Sequence, residues 1–311
     1  MYRNIVLSLF FMVLPLFSYA AEEAVLKLPA GRLYGTLEVP TDSVRPPVAL
    51  IIAGSGPTDR DGNNRISGKN ASLKQLAEGL AQKGIASLRY DKRGVKASRE
   101  ISMPESEARI DHFVDDAVFW GEYLKISGRF GKLIIVGHSE GALIGSLAAE
   151  RLKADGFVSL AGAGRPAYEV LEEQFTANAP DYLPEARRIM EHLKKGELAD
   201  NITELMMPAF RPSVQPYVIS WFKYNPAEII GRLKMPVLVI HGTTDLQISV
   251  RDAEILAAAN KNIRLNILDG VNHVLKEADT MQTQKNSYYN PDYPVSPKVI
   301  DAVAGFIRSI L

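Results

Sequence analysis

Apolar residues along this chain alternate between two rhythms. Short runs with no polar face, "PPVALIIAG", "IASLRYD", "KLIIV", "GFVSLAG" and "MPVLVIHG", have the length and content of strands buried on both sides. Between them lie segments with apolar residues at helical spacing. "ASLKQLAEGLAQKG" is amphipathic and stops at Gly84, and "RIDHFVDDAVFWGEYLK" places Phe113, Val114, Ala117, Val118 and Leu124 on one side. "ALIGSLAAERL", "SVRDAEILAAAN" and the terminal "SPKVIDAVAGFIRSIL" continue the series, with "IRLNILDG" as the last strand. "AVLKLP" and "RLYGTLEVP" read as an opening pair of strands around Ala30-Gly31. This alternation predicts an α/β fold with a parallel sheet covered on both faces.

Between about 165 and 232 the rhythm breaks. Prolines recur at 166, 180, 184, 208, 212, 216 and 226, and helical pieces such as "PEARRIMEHLKK" appear without a strand. The interval reads as a helical insertion between two late strands, forming a cap. Its Phe175, Tyr182, Met206, Met207, Phe210, Tyr217, Trp221, Phe222 and Tyr224 suit either the lining of an acyl pocket or the core of the cap itself.

The first 20 residues stand apart. Arg3 precedes an apolar run from Ile5 to Phe17, and Ser18-Tyr19-Ala20 places small residues where a signal peptidase reads. The run is shorter than the roughly 18 to 20 residues of a spanning helix. It is read as a signal peptide over 1–20, cleaved after Ala20, which makes the mature protein secreted or periplasmic with no stable membrane span. Residues 21–311 then form one domain. No cysteine is present, so neither a disulfide framework nor thiol chemistry is available. With 36 basic and 36 acidic residues the formal net charge is zero, and no basic stripe suggests nucleic acid. Nothing in the sequence bears on oligomeric state.

The chemistry centres on "LIIVGHSEGALIG", residues 133–145. Gly137-x-Ser139-x-Gly141 arises by chance about 0.1 times in such a chain, so the bare pattern is weak. Its setting is stronger: an apolar strand runs in and a helix runs out, as a serine on a sharp strand-to-helix turn requires. Glycines two residues either side let the two backbones approach. Such a hydroxyl needs a base. Of five histidines, His112 and His192 lie on helical patterns away from the expected place. His138 adjoins the serine and is poorly placed to reach back to it, while His241 ends a strand and shapes its loop. His273, in "LDGVNHVLK" after the last strand, stands where the order Ser, acid, His puts the base. Asp245 in "VLVIHGTTD" is the orienting acid; Asp252 and Asp269 are rivals, and Asp269 suits a turn better. The oxyanion donors are expected to be the N–H of Glu140 and an N–H from the glycine-rich loop "AGSGPTDRDGN", Ser55 first and Gly56 next. That loop lacks the Gly-Lys-Ser/Thr of a phosphate cradle, and no metal-ligand spacing is present, so neither cofactor nor metal is expected.

In this order "GHSEG", "HGTTD" and "NHVLK" resemble the α/β-hydrolase superfamily over nearly all of the chain beyond residue 20, and "LRYDKRGVKAS" looks like the Asp-x-Arg-Gly loop of many members. "IIAGSGPTDRDGN" and "YYNPDYPVSP" are similar to a bacterial branch of serine esterases related to serine-aminopeptidase-like hydrolases, with Gly-Ser-Gly-Pro in place of the usual His-Gly. The resemblance implies the α/β-hydrolase fold, a mostly parallel sheet of about eight strands with a helical cap. It also implies a metal-free carboxylic ester hydrolase acting on a small-molecule ester through an acyl-enzyme, with Ser139, Asp245 and His273 as the triad. A peptidase trimming an N-terminal residue is the enzymatic alternative. It would need a cap carboxylate such as Glu169, Glu172 or Glu173 to hold the substrate ammonium. A non-catalytic binding protein is a third reading, against which the intact Ser-Asp-His set argues.

Overall fold

The computed structural model describes residues 18–65 and 68–311, so the first 17 residues of the expected signal segment lie outside the described residues. Tyr19 and Ala20 are the first residues of strand β1 (Tyr19–Leu28), which turns back at once into β2 (Gly31–Pro40). The buried runs become β3 (Val48–Ile52), β4 (Ala86–Tyr90), β5 (Leu133–His138), β6 (Gly156–Leu160), β7 (Val237–Gly242) and β8 (Ile263–Leu268). These eight strands form one sheet in the order β1-β2-β4-β3-β5-β6-β7-β8. The pairs β1–β2 and β2–β4 are antiparallel and all the others parallel. The mostly parallel, eight-stranded α/β-hydrolase architecture implied by the motifs is therefore present.

Side chains explain the two layers. Along β3, Val48, Leu50 and Ile52 enter one core while Ala49 and Ile51 enter the other, because successive residues of a strand point to opposite faces. β5 and β7 split in the same way. Both faces are apolar because both are covered. One face receives α2 (Ile110–Ile126), α3 (Glu140–Leu152) and α9 (Val250–Ala258), through residues such as Trp120, Leu143 and Leu256. The other receives α1 (Ser72–Ala81) and α11 (Pro297–Ser309), through Leu76, Leu80, Val299 and Phe306. α1 ends where expected, with Gly84 at φ +78° just beyond it.

The interval after β6 is helical throughout its described elements: α4 (Ala167–Asn178), α5 (Leu183–Lys194), α6 (Met207–Phe210), α7 (Gln215–Phe222) and α8 (Pro226–Gly231). α4 to α7 carry a core of their own that includes Ile189, Leu193, Met206, Phe210 and Phe222. α8 differs: Ile229 and Ile230 pack into the main core, so the chain has left the cap before residue 232. A helix not anticipated is α10 (Met281–Tyr289), which lies between the His273 loop and α11. Its apolar content is too low for periodicity to reveal it.

Candidate active site

The site is assembled where parallel strands end, at the carboxyl edge of the sheet that such folds leave open for ligands. β5 ends in His138, and Ser139 follows with φ 56° and ψ −124°, an uncommon backbone state for a residue with a Cβ. Its N–H donates to the Leu160 carbonyl at 2.9 Å, which fixes the turn. The flanking glycines are required by contact. A Cβ on Gly137 would lie 2.1 Å from the Gly141 carbonyl oxygen, and one on Gly141 would lie 2.4 Å from that of Ile52. Neither obstacle is a flexible side chain, so the strand-to-helix turn tolerates only glycine at both positions.

The fold brings Ser139, Asp245 and His273 together. His273 Nε2 lies 3.1 Å from Ser139 Oγ, and His273 Nδ1 lies 2.8 Å from Asp245 Oδ2. With the Nδ1–H donating to the carboxylate, Nε2 is left as the acceptor of the serine proton. The other oxygen of Asp245 accepts from the N–H groups of Gln247 (2.8 Å) and Ile248 (3.0 Å), so the whole carboxylate is oriented. Burial acts to raise the Asp245 pKa. The attraction of His273 and the hydrogen bonds it receives outweigh that, and the group sits below its ordinary value as a carboxylate.

The rival acids are committed elsewhere. Asp269 accepts from Thr243 Oγ1 at 3.0 Å in the turn after β8, while Asp252 is bound by Arg165, Ser249 and the Gly164 N–H. Among the other histidines, His241 is buried at the end of β7 and donates to the Ile248 carbonyl, closing the loop that presents Asp245. His112 stands in the first turn of α2, where its Nδ1 accepts from the Arg109 N–H. His192 is exposed beside Glu197.

His138 has a role the motif did not disclose. Its ring turns away from Ser139, donates from Nε2 to the His273 carbonyl at 2.7 Å, and packs against the His273 ring with centroids 5.1 Å apart. Burial, and next the neighbouring His273, push its pKa down to about 4, so it is neutral at pH 7. The consequence for stability has a definite sign. An unfolded histidine begins to bind its proton near pH 6.5, whereas the folded one resists until about 4. The stabilisation is therefore complete above 6.5 and is lost as pH falls from 6.5 to 4, by on the order of 3 kcal/mol. Thermal melts between pH 7 and 4 should show a loss that shrinks in His138→Gln. An equal loss in the variant refutes the assignment.

Lys276, in the "NHVLK" stretch, is also fully buried. Its Nζ donates to the carbonyls of Asn70 (2.6 Å) and Asn290 (3.2 Å), and burial pushes its pKa down to about 8. Asn272 donates to Gln284 and Ser287 of α10. The unanticipated helix thus braces the loop that holds His273.

Ser55 and Gly56 lie with Ser139 and Glu140 in the wall of a cavity of about 670 Å³ between the cap and the sheet, within the range of small-molecule sites. Neither the Ser55 nor the Gly56 N–H has a protein acceptor among the described residues. The cavity is walled by Phe113 and Leu143 from below and by Val170, Leu171, Val218 and Trp221 from the cap. Of the nine cap residues singled out above, only Tyr217 and Trp221 line it. Met206, Phe210 and Phe222 form the cap core with Phe175 packed on them, and Tyr224 Oη donates to Asp111. A smaller recess of about 250 Å³ opens on the His273 side, past Thr58, Asn70 and Tyr288. No cluster of three or more potential metal ligands occurs among the described residues.

Comparison with known proteins agrees with this architecture. The family model described as serine aminopeptidase, S33, matches residues 66–206, a span that includes Ser139 and stops before Asp245 and His273. Esterase EstD of Thermotoga maritima is 30% identical over 279 residues, which is 88% of this chain and 64% of that protein. The chain thus spans under two-thirds of that relative's length. Among solved structures, Est1E from Butyrivibrio proteoclasticus superimposes with a TM-score of 0.61 at 18% identity, covering 93% of this chain and 98% of its own. A puromycin-hydrolyzing peptidase of Mycobacterium tuberculosis gives a TM-score of 0.60 at 15% identity, covering 94% of this chain and 39% of its own. At these identities the two structures share this chain's fold and carry no further argument about its activity.

Proposed function

We propose that this chain, which has the α/β-hydrolase fold, is a serine hydrolase that cleaves small-molecule carboxylic esters, of short or medium acyl chain, through an acyl-enzyme intermediate. The observation that carries the reading is the hydrogen-bonded line from Ser139, in the wall of a mainly apolar cavity, through His273 to Asp245. Ser139 Oγ attacks the ester carbonyl carbon as its proton passes to His273 Nε2. The oxyanion is received by the N–H groups of Glu140 and of Ser55, with Gly56 the neighbouring alternative. Collapse breaks the carbonyl-to-alkoxide bond, and the alkoxide takes the proton from His273. Water, activated by the same imidazole, then releases the acid.

Esterase rather than aminopeptidase chemistry is favoured by the cap. An aminopeptidase needs an accessible carboxylate for the substrate ammonium. Glu172 pairs with Arg187 and Glu173 with Arg165, and neither these nor Glu169 lines the cavity. The carboxylates that do reach it, Glu105 and Glu140, are held by Arg211 and Lys92. A binding protein without catalysis has no use for the strained turn at Ser139. A panel of p-nitrophenyl esters and aminoacyl anilides separates these readings. Ester turnover well above anilide turnover supports the esterase; anilide turnover alone supports the peptidase, and neither supports the binding protein.

We also place the mature protein outside the cytoplasm, on the strength of residues 1–20. Cleavage after Ala20 would remove the Tyr19–Pro40 and Ala20–Val39 partners of β1 and keep those from Ala21–Glu38 to Leu28–Gly31. Mass spectrometry of protein from an osmotic-shock fraction should find Ala21 at the N-terminus. An intact N-terminus in the cytoplasmic fraction would count against export. Among the described residues no helix is long and apolar enough to cross a membrane.

A further inference from the structure

The Lys92 of "YDKRG" is a charged side chain in an apolar setting, only 4% exposed, and the reaction outlined above gives it no part. Its position is set by its neighbours. Asp91 accepts from the Arg60 N–H and guanidinium, and Arg93 is paired with Asp116 of α2, so the loop after β4 is pinned on both sides of Lys92. From there the lysine Nζ donates to the Gly54 carbonyl at 2.5 Å and to Glu140 Oε1 at 3.1 Å. It also lies 5.2 Å from the centre of the Phe113 ring.

The two acceptors belong to the two segments that carry the oxyanion donors. Gly54 C=O and Ser55 N–H are ends of one trans peptide unit, so they point in opposite directions. Holding the carbonyl against Lys92 turns the Ser55 N–H away from the lysine. Gly54 itself runs against the nucleophile: a Cβ on it would lie 3.0 Å from Ser139 Cβ. Glu140 is the first residue of α3 and supplies the other donor from its own main chain. We propose that Lys92 is a positioning residue that sets the oxyanion hole, clamping the Gly54–Ser55 peptide to Glu140 so that both N–H donors face one point beside Ser139 Oγ.

This rests on the serine-hydrolase reading and deepens it. A preorganised donor pair is worth most when the surrounding structure holds it still. Without the ammonium, the Gly54–Ser55 peptide loses the one donor to its carbonyl found among the described residues, and Gly54, which has no Cβ, lets that peptide turn about its ψ. Lys92 borders the cavity with its Nζ committed to Gly54 and Glu140. It acts through the peptide it holds and through its charge, which polarises the Gly54 C=O and makes the Ser55 N–H a stronger donor.

Removing Lys92 alone leaves the Glu140 carboxylate buried without its cation, with only the Tyr217 side chain bonded to it, a change that can unfold a protein. The decisive variant is therefore the pair Lys92→Met with Glu140→Gln, which removes both charges and keeps both main-chain donors. Lys92→Arg, which retains a donor to both acceptors, is the rescue. The probe is a fluorophosphonate, whose attack by Ser139 also builds negative charge on an oxygen, supplemented by p-nitrophenyl acetate turnover. The double variant should label at Ser139, and turn over the ester, about 10- to 100-fold more slowly. KM should change less than about threefold. The pH at which the rate is half its plateau should not move, because His273 and Asp245 are untouched; Lys92→Arg should recover most of the loss. Labelling and turnover at the wild-type rate overturn the clamp, and so does a loss that appears only in KM. A moved pH midpoint overturns it too, since the lesion would then lie in the His273–Asp245 pair. Failure of the wild-type protein to label at Ser139 overturns instead the serine-hydrolase reading beneath it.

Discussion

Ser139→Ala should reduce ester turnover on the order of 10⁴-fold or more while leaving the fold intact. The hydroxyl has no structural duty: its one hydrogen bond among the described residues is the 3.1 Å bond to His273 Nε2, and the turn is held by the Ser139 N–H to Leu160 and by the two glycines. Alanine has a Cβ like serine, so the positive φ is no worse tolerated than before. A melting temperature within a few degrees of wild type is expected, together with complete loss of fluorophosphonate labelling. The residual rate should remain above the uncatalysed one, because the oxyanion donors belong to the main chain and survive the substitution. Turnover or labelling that persists in Ser139→Ala would assign the chemistry to another residue.

Asp245→Asn should be nearly as damaging, by about 10⁴-fold in kcat, through a different route. The Asp245 side chain is buried and divides its two oxygens cleanly, Oδ1 to the Gln247 and Ile248 N–H groups and Oδ2 to His273. The N–H pair demands an acceptor, so an asparagine keeps its carbonyl oxygen there and turns its NH₂ toward His273. The NH₂ then donates to Nδ1 and drives the proton to Nε2, which leaves the atom facing Ser139 unable to accept. Folding should survive, since the loop's own hydrogen bonds are retained. Asp269→Asn is the control. Its carboxylate accepts from Thr243 in a turn, and turnover should change by no more than a few-fold. A heavy loss in Asp269→Asn with a mild one in Asp245→Asn would reverse the assignment. The pair of variants thus reads the choice between two acids that stand in similar places after neighbouring strands.

The linear pattern determined the sheet, the two helical layers and the strand-to-helix turn that carries Ser139, for a local reason, while Asp245 and His273 were read from their order after it. A strand covered on both faces must be apolar throughout, a covered helix must be apolar at a 3.6-residue period, and a turn with positive φ between two closely packed backbones must be flanked by glycine. Each of these leaves its mark within about a dozen consecutive residues. What depends on contacts between distant segments left no such mark. That His138 supports the His273 main chain, that Lys276 ties the same loop to Asn70 and Asn290, and that Lys92 reaches both Gly54 and Glu140 follow from distances across 14 to 206 residues of sequence. The cap shows the same division. Its helical character and the excess of large apolar residues were legible, but a Phe that fills the cap core and a Trp that walls the cavity have the same local signature. Only their placement around a common space, set by how α4 to α7 pack over the sheet, decided that Phe210 and Phe222 fill the cap core while Tyr217 and Trp221 line the cavity that Ser139 borders.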